Sequence, residues 1–385
     1  MRGEALSRQG QELSEQARAV HQRAIIVDGH CDTPYRLKRT KLHLDQHDAR
    51  AQVDLESLET SGITASFFAA YVPPAYAGRG AAQYANDLID IIHDEARRFP
   101  ERLEVVTDSA GVRRVKRAGR TGLMIGVEGG HAIEDSLEIL ESLYSRGARY
   151  LTLTHVNTNN WADSSGDEPR HGGLTAFGRE VVAAMNRLGM IVDISHVADT
   201  TFYQALELSS VPIIASHSSC RAIANHPRNL TDQMLRDLAS VGGVCMINFF
   251  SAFIDDTAAK IMLKARGTSR KASSGSGPAE ELPDDSRDWD SFCSWYGGLG
   301  GPAGTLDAVV DHIAHAADVA GVECVGIGSD FDGVPMLPEG LEHISRLPWL
   351  TGRLLERGFH ANEVEMILGG NFMRAFEQIE KGRRR

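Results

Sequence analysis

Histidine, aspartate and glutamate side chains stand at the ends of six short apolar runs of the chain. Imidazole and carboxylate groups together form the ligand sets of hydrolytic zinc sites. One residue separates His30 from Asp32, so in an extended segment both side chains point to the same side while Cys31 points away. The groups that end the six runs are His30 with Asp32, Glu128, His155, His196, His217 and Asp330. They indicate a metal-dependent hydrolytic site, provided that the fold brings the run ends together.

The apolar runs themselves predict the fold. They are nearly continuous in apolar residues, as in strands covered on both faces, and segments with a helical period separate them. The eight runs cover residues 25–28, 65–72, 123–127, 150–154, 190–194, 212–215, 244–249 and 324–327. This alternation favours an α/β fold, a (β/α)8 TIM-type barrel, over an open doubly wound sheet, with an additional N-terminal helix at 11–22. Such a barrel has its active site at the carboxyl ends of its strands, where the polar run ends would meet.

One segment interrupts the alternation. Residues 267–290 are rich in Gly, Ser, Pro and charged side chains, a composition too polar to bury a core. We predict a flexible surface insertion here, between the seventh and eighth strands. The following strand must return to close the barrel, so we expect a single domain over 1–385 with a core of about 20–378.

Composition and charge narrow the class of protein. The chain has 52 acidic and 40 basic residues, a net charge of −12, which disfavours a nucleic-acid partner. No run approaches the roughly 18 apolar residues of a membrane span, and the polar first twenty residues lack the apolar core of a signal peptide. Five scattered cysteines are typical of reduced thiols. We therefore expect a cytoplasmic protein with no membrane partner.

Each of these polar residues, taken singly, also has an ordinary structural role. The His30 and Asp32 pair can be a hydrogen-bonded strand end, Glu128 can begin a loop, and Asp330 can cap a helix. A single histidine at a strand end is more often packed than metal-bound. The occurrence of all of them at one end of a barrel is what favours a metal site.

Longer motifs surround these residues. They are Asp-Gly-His-Cys-Asp at 28–32, Val-Glu-Gly-Gly at 127–130, Tyr-Ser-Arg-Gly-Ala-Arg-Tyr at 144–150, Leu-Thr-His at 153–155, Asp-Ile-Ser-His at 193–196, Ser-His-Ser at 216–218, His-Pro-Arg-Asn at 226–229, Gly-Ser-Asp-Phe-Asp-Gly at 328–333 and Gly-Gly-Asn-Phe-Met-Arg at 369–374. In this order, and over roughly residues 20–378, they resemble the renal or membrane dipeptidase family, peptidase family M19. The chain departs from the family pattern at Cys31, Thr33 and Ala148, none of which is a predicted ligand.

The resemblance implies a metal-dependent dipeptidase of the amidohydrolase-like barrel group with two zinc ions per chain. By this resemblance His30 and Asp32 bind one zinc ion, His196 and His217 bind the other, and Glu128 bridges both. A shared carboxylate between two neighbouring cations agrees with elementary electrostatics, and a water molecule that bridges the metals would be the nucleophile.

The resemblance also implies roles for three further side chains. Asp330 is the expected general base, and His155 is the expected donor to the oxyanion of the tetrahedral intermediate. Arg228 is expected to bind the free C-terminal carboxylate of a small dipeptide substrate. Acceptance of L,D-dipeptides and assembly as a homodimer are further implications of the resemblance.

Two other functions are open at this point. The first is a related dinuclear metallohydrolase that acts on another small amide, lactone or ester, because barrel chemistry follows the loop residues. The second is a non-catalytic binding or scaffold barrel. A requirement for Arg228 would distinguish dipeptides from substrates without a carboxylate, and turnover by the metal-loaded protein would exclude the scaffold.

Overall fold

Nine parallel strands form the centre of the computed structural model, which describes residues 13–272 and 285–383. The strands are β1 (Val27–Cys31), β2 (Ala65–Tyr71), β3 (Leu103–Val105), β4 (Thr121–Glu128), β5 (Ala148–Thr152), β6 (Ile191–Asp193), β7 (Ile214–Ser218), β8 (Val244–Ile247) and β9 (Val325–Ile327). Eight of them close into a barrel because β2 pairs with both β1 and β4. The short strand β3 pairs with β4 at the edge of this ring. The prediction of a (β/α)8 TIM-type barrel is confirmed, whereas β3 was not predicted.

Sixteen α-helices accompany these strands in the described ranges. They are α1 (Glu15–Arg23), α2 (Thr33–Thr40), α3 (Leu55–Thr60), α4 (Ala81–Arg98), α5 (Ser109–Ala118), α6 (Leu137–Ser145), α7 (Ala176–Leu188), α8 (Asp199–Leu208), α9 (Asp232–Ser240), α10 (Ser251–Ile254), α11 (Asp256–Ala272), α12 (Asp285–Gly298), α13 (Leu306–Ala320), α14 (Leu347–Glu356), α15 (Ala361–Glu365) and α16 (Asn371–Gly382). Helix α1 is the predicted N-terminal helix. Within the described ranges, we find no helix with the length and apolar character that crossing a membrane requires.

The sequences of the barrel strands are continuous apolar runs because both faces of each strand are buried. In β2, Phe67 belongs to the cluster inside the barrel, whereas its neighbour Phe68 packs in the layer between strands and helices. Phe372 of α16 meets the Phe67 ring edge-on at 5.6 Å. The inner cluster includes the first residues of several strands, such as Val27 and Ile214. Helix α16 therefore covers the amino end of the barrel and leaves the carboxyl end to the polar residues.

The predicted insertion at 267–290 interrupts the helical structure only in part. Helix α11 continues through Ala272 and α12 begins at Asp285, so both ends of the segment are helical. Trp289 of α12 lines the cavity at the mouth of the barrel. The C-terminal end of this segment therefore contributes a partly buried aromatic side chain to the cavity, which the composition does not predict. Residues 273–284 lie outside the described residues, so the predicted flexible insertion stays a prediction.

Candidate active site

The carboxyl ends of the strands gather the predicted ligands. His30 and His217 lie in β1 and β7, Glu128 ends β4, and Asp32 directly follows β1. His196 lies three residues beyond the end of β6. The donor atoms of these residues, with those of His155 and Asp330, form three overlapping groups that could each hold a metal ion. The structure thus places seven of the eight predicted site residues in one cluster.

Glu128 occupies the centre of this cluster, and its two oxygens face different neighbours. Oε2 lies 3.5 Å from Nε2 of His30, and His30 lies 3.2 Å from Oδ2 of Asp32. Oε1 lies 3.1 Å from Nε2 of His196 and 3.4 Å from Nε2 of His217. The carboxylate therefore connects the pair His30 and Asp32 with the pair His196 and His217.

The backbone around the site departs from ordinary strand and helix geometry. His196 and Asp330 adopt left-handed conformations, with φ of 68° and 66°, which are uncommon for residues with a Cβ atom. Position 333, three residues after Asp330, must be a glycine, because a Cβ atom there would lie 1.9 Å from Oδ2 of Asp32. These conformations turn the polar side chains inward where the strands end.

Tyr150 of β5 orients the ring of His30. Its hydroxyl oxygen lies 2.7 Å from Nδ1 of His30, and both side chains are fully buried. Gly126 on the neighbouring strand β4 leaves the space for the phenol ring, because a Cβ atom there would lie 2.0 Å from the ring. A second hydrogen bond of this kind fixes the orientation of a metal-binding histidine.

A chain of hydrogen bonds through Ser216 and Asp193 orients the ring of His217. Ser216 Oγ donates to Oδ2 of Asp193 at 2.7 Å and lies 2.7 Å from Nδ1 of His217. Because the serine proton points to the carboxylate, the histidine must donate through Nδ1. Its Nε2 atom is then left with a lone pair that points into the site, as a metal ligand requires.

The charges of the site fit a bound cation. Burial disfavours the charged forms of His196 and His217 and lowers the pKa of both well below the ordinary value. Burial opposes ionisation of Glu128, but the surrounding histidines outweigh it and hold its pKa well below the ordinary value. Oδ1 of Asp32 is buried and has no hydrogen-bond partner among the described residues. The neutral imidazoles of His196 and His217, the ionised carboxylate of Glu128 and the orphaned oxygen of Asp32 are donors of the kind that a zinc centre uses.

Asp330 and His155 lie beside the ligands and line the same cavity. Asn248 donates a hydrogen bond of 2.8 Å to Oδ2 of Asp330, and burial raises the pKa of this carboxyl group. Burial also lowers the pKa of His155 to about 4, so its ring is neutral at physiological pH. Nδ1 of His155 is buried without a hydrogen-bond partner among the described residues. Asp330 is therefore placed for proton transfer, and the neutral ring of His155 is placed for hydrogen bonding to a reacting group.

Arg228 lies behind His217, outside the cluster of donor atoms. Its Nη1 donates to Oγ of Ser218 and its Nη2 to the backbone oxygen of His217, both at 2.8 Å. Its Nε is buried without a hydrogen-bond partner among the described residues. Burial lowers its pKa to about 10, so the guanidinium stays charged at neutral pH. Arg228 thus supplies a fixed positive charge next to the site.

A cavity of about 470 Å³ opens above the cluster. Its polar side is formed by Asp32, Glu128, His155, His196 and Asp330. The remaining lining is mostly aromatic or aliphatic and includes Tyr35, Tyr71, Phe250, Phe253, Met262, Trp289 and Phe292. The sequence does not predict this apolar lining, nor the hydrogen bonds that Tyr150 and Asn248 make. Tyr150 ends the motif at 144–150, but its contact with His30 bridges 120 residues of sequence.

Comparison with known proteins shows similarity to dipeptidases over nearly the whole chain. Residues 14–385 match the model of the membrane dipeptidases, peptidase family M19. Dipeptidase verJ of Clonostachys rogersoniana is 36% identical over 372 residues, which cover 92% of this chain and 84% of the relative. Dipeptidase 3 of Mus musculus is 33% identical over 381 residues, which cover 96% of this chain and 68% of the relative.

A similar solved structure supports the fold. It is a metallopeptidase from Rhodobacter sphaeroides, liganded with a phosphinate mimic of the dipeptide L-Ala-D-Ala. The TM-score is 0.74 at 24% identity, and the match covers 92% of this chain and 99% of that chain. At this identity the similarity shows a common fold.

Proposed function

Because the chain belongs to the membrane dipeptidase family, peptidase family M19, we propose that it hydrolyses the peptide bond of dipeptides with two bound zinc ions. The position of Glu128 carries this proposal, since one of its oxygens faces His30 and the other faces His196 and His217. His30 and Asp32 would hold one ion, His196 and His217 the other, and Glu128 both. When bound, such ions acidify a water molecule and polarise the scissile carbonyl group.

Asp330 is the side chain that we assign to proton transfer. Asn248 fixes one of its oxygens, which leaves the other to accept a proton from the attacking water. Burial raises the pKa of the carboxyl group, and a carboxyl with a raised pKa can hold the proton and return it to the leaving amine. The same group would thus act as base and then as acid.

His155 and Arg228 are assigned to recognition of the substrate. The neutral imidazole of His155 has one N–H donor to offer to the oxyanion that forms as the carbonyl is attacked. The charged guanidinium of Arg228 attracts the free C-terminal carboxylate of a dipeptide. A substrate without a carboxylate would have no use for this arginine.

The stereochemistry of the substrate is the finer part of the proposal. The Rhodobacter sphaeroides metallopeptidase carries a mimic of L-Ala-D-Ala in its crystal structure. We therefore include dipeptides with a C-terminal D-residue among the substrates, in addition to L,L-dipeptides.

A panel of substrates tests the proposal. The zinc-loaded protein is incubated with L,L- and L,D-dipeptides, tripeptides, dipeptide amides, and simple esters and lactones, and product formation is followed for each. We expect efficient cleavage of dipeptides with free termini and poor cleavage of the other compounds. Faster cleavage of esters or lactones would favour the alternative metallohydrolase, and no cleavage of any compound would favour a binding or scaffold barrel.

A further inference from the structure

One side of the cavity is an aromatic wall, defined here as Phe250, Phe253, Trp289 and Phe292. Phe250 and Phe253 come from the turn and short helix α10 that follow β8, and the other two come from α12. The same cavity is lined by the polar groups that the proposed reaction needs, among them Glu128, His155 and Asp330. The wall is therefore not explained by the chemistry of peptide hydrolysis, which needs only the polar groups.

Packing holds α12 against the barrel so that the wall is a fixed surface. Tyr296 is 3% exposed, and its ring lies 5.0 Å from that of Phe250. Trp289 precedes Tyr296 by two helical turns and therefore lies on the same face of α12. The guanidinium of Arg39 lies 4.4 Å from the centre of the Trp289 ring, which adds a cation–π contact.

The position of the wall relative to Arg228 indicates which part of a dipeptide it contacts. The Phe253 ring lies 5.5 Å from Cζ of Arg228, the residue proposed to attract the C-terminal carboxylate. The side chain of the C-terminal residue is bonded to the same Cα atom as that carboxylate. Phe253 both contacts Arg228 and lines the cavity, so a side chain next to a carboxylate held by Arg228 would face Phe253. Phe250 continues this surface at a ring distance of 4.9 Å.

We propose that the aromatic wall is the binding surface for a large apolar side chain at the C-terminal residue of the dipeptide. This inference rests on the proposed function. Two charged side chains, Arg266 and Asp288, also line the cavity, but their opposite signs give no net preference for a charged substrate side chain. The wall excludes water from an apolar side chain, and burial of a side chain as large as phenylalanine corresponds to about 10- to 100-fold in kcat/KM.

Paired substrates and a matched variant test the inference. kcat/KM is measured for Gly-Phe, Gly-Ala, Phe-Gly and Ala-Gly with the zinc-loaded wild-type protein, Trp289→Ala, Phe292→Ala and Trp349→Ala. Trp349 is the control because it is a partly buried tryptophan of α14 outside the cavity lining. We expect the wild type to favour Gly-Phe over Gly-Ala by at least about tenfold. Trp289→Ala and Phe292→Ala should each reduce this ratio severalfold, whereas Trp349→Ala should leave it unchanged.

A binding measurement separates this inference from the proposed function. The affinities of two phosphinate dipeptide mimics, with a benzyl or a methyl group at the C-terminal residue, are measured by calorimetry on the same four proteins. Preference for the benzyl mimic that falls in Trp289→Ala supports the wall even if no dipeptide is cleaved, an outcome that would contradict only the proposed function. Cleavage of dipeptides with equal ratios in wild type and both wall variants would overturn the wall alone, as would a preference for Phe-Gly over Gly-Phe. If Trp289→Ala lowers the melting temperature, Trp289→Leu and Phe292→Ala decide the result.

Discussion

The Nε2 atoms of His196 and His217 lie 2.9 Å apart, and both are within 3.4 Å of Oε1 of Glu128. The hydrogen bonds of Ser216 leave a lone pair on Nε2 of His217, and the carboxylate of Glu128 is ionised, so two acceptor atoms converge here. Either a proton on Nε2 of His196 or a bound cation satisfies both acceptors in this buried site. The proposed dinuclear centre rests on this convergence.

Glu128→Gln tests whether the carboxylate joins two metal ions. A neutral amide cannot bridge two cations, so we expect the bound zinc to fall from about two ions per chain to one or fewer. Metal content is measured by mass spectrometry after gel filtration in metal-free buffer. Glu138→Gln, at an exposed glutamate of α6, is the matched control and should keep the wild-type content. Full occupancy in Glu128→Gln would remove this residue from the bridging role.

Tyr150→Phe tests the hydrogen bond that orients His30. The ring still fits against Gly126, but Nδ1 of His30 loses the partner that lies 2.7 Å away. We expect zinc affinity to fall by about 10- to 100-fold, as for other residues that orient metal ligands. Competition with a fluorescent chelator measures this affinity, and Tyr203→Phe at a 41% exposed tyrosine serves as the control. Equal affinities in the two variants would show that Tyr150 does not orient the ligand.

Asp330→Asn separates proton transfer from metal binding. Asparagine tolerates the left-handed backbone at this position, so the fold and the zinc content should be retained. We expect kcat to fall by about 100- to 10,000-fold, because an amide cannot accept the proton. Asp135→Asn is the control, since Asp135 is exposed and also left-handed, with φ of 55°. A near-normal kcat with full metal content would exclude Asp330 as the base.

Arg228→Lys and Arg228→Ala test recognition of the carboxylate. Loss of the fixed guanidinium should lower kcat/KM for dipeptides by about 10- to 100-fold. Dipeptide amides lack the carboxylate, so their slower cleavage should change little. Circular dichroism checks that both variants fold, since Arg228 also donates to Ser218 and His217. An equal loss for dipeptides and their amides would mean that Arg228 supports the site without binding the carboxylate.

His312 of α13 predicts how stability depends on pH. Its Nδ1 accepts from the backbone N–H of Cys220 at 2.9 Å, and burial lowers its pKa from 6.5 to about 4. The folded protein therefore holds the ring neutral, whereas the unfolded chain takes up a proton below about pH 6.5. This contribution to stability is present at neutral pH and declines as the pH falls from about 6.5 to about 4, by about 2 kcal/mol between pH 7 and pH 5.

Denaturant unfolding of wild type and His312→Gln at about pH 7 and pH 5 measures this effect. Glutamine keeps a donor and an acceptor but does not titrate in this range. We expect the variant to be less stable at pH 7 and to lose less stability than the wild type on acidification. An equal loss in both proteins would assign the acid sensitivity to other groups.

The sequence predicts the barrel and the convergence of its polar residues because both depend on short-range patterns. Each of these residues follows an apolar run, and parallel strands of a barrel end at one face, so the pattern alone brings Glu128 near His217. The hydrogen bonds from Tyr150 and Asn248 depend on the register between strands distant in sequence. No single run contains the information that sets this register.

The aromatic wall escaped prediction for a different reason. The average composition of residues 267–290 is polar, and it masks the apolar Trp289 near the end of the segment. Trp289, Phe292 and Tyr296 recur at intervals of three and four residues, the spacing of one helical face. That spacing was the available signal for α12, but its docking beside Phe250 depends on tertiary packing.

The most direct test of the proposed function is a zinc titration of the metal-free protein, with bound zinc and Gly-Phe cleavage measured at each step. We expect about two zinc ions to bind per chain and activity to reach its maximum as the second site fills. Chelation should abolish cleavage and zinc should restore it. Full activity without bound metal, or two bound ions with no cleavage of any dipeptide, would contradict the proposed metal-dependent dipeptidase.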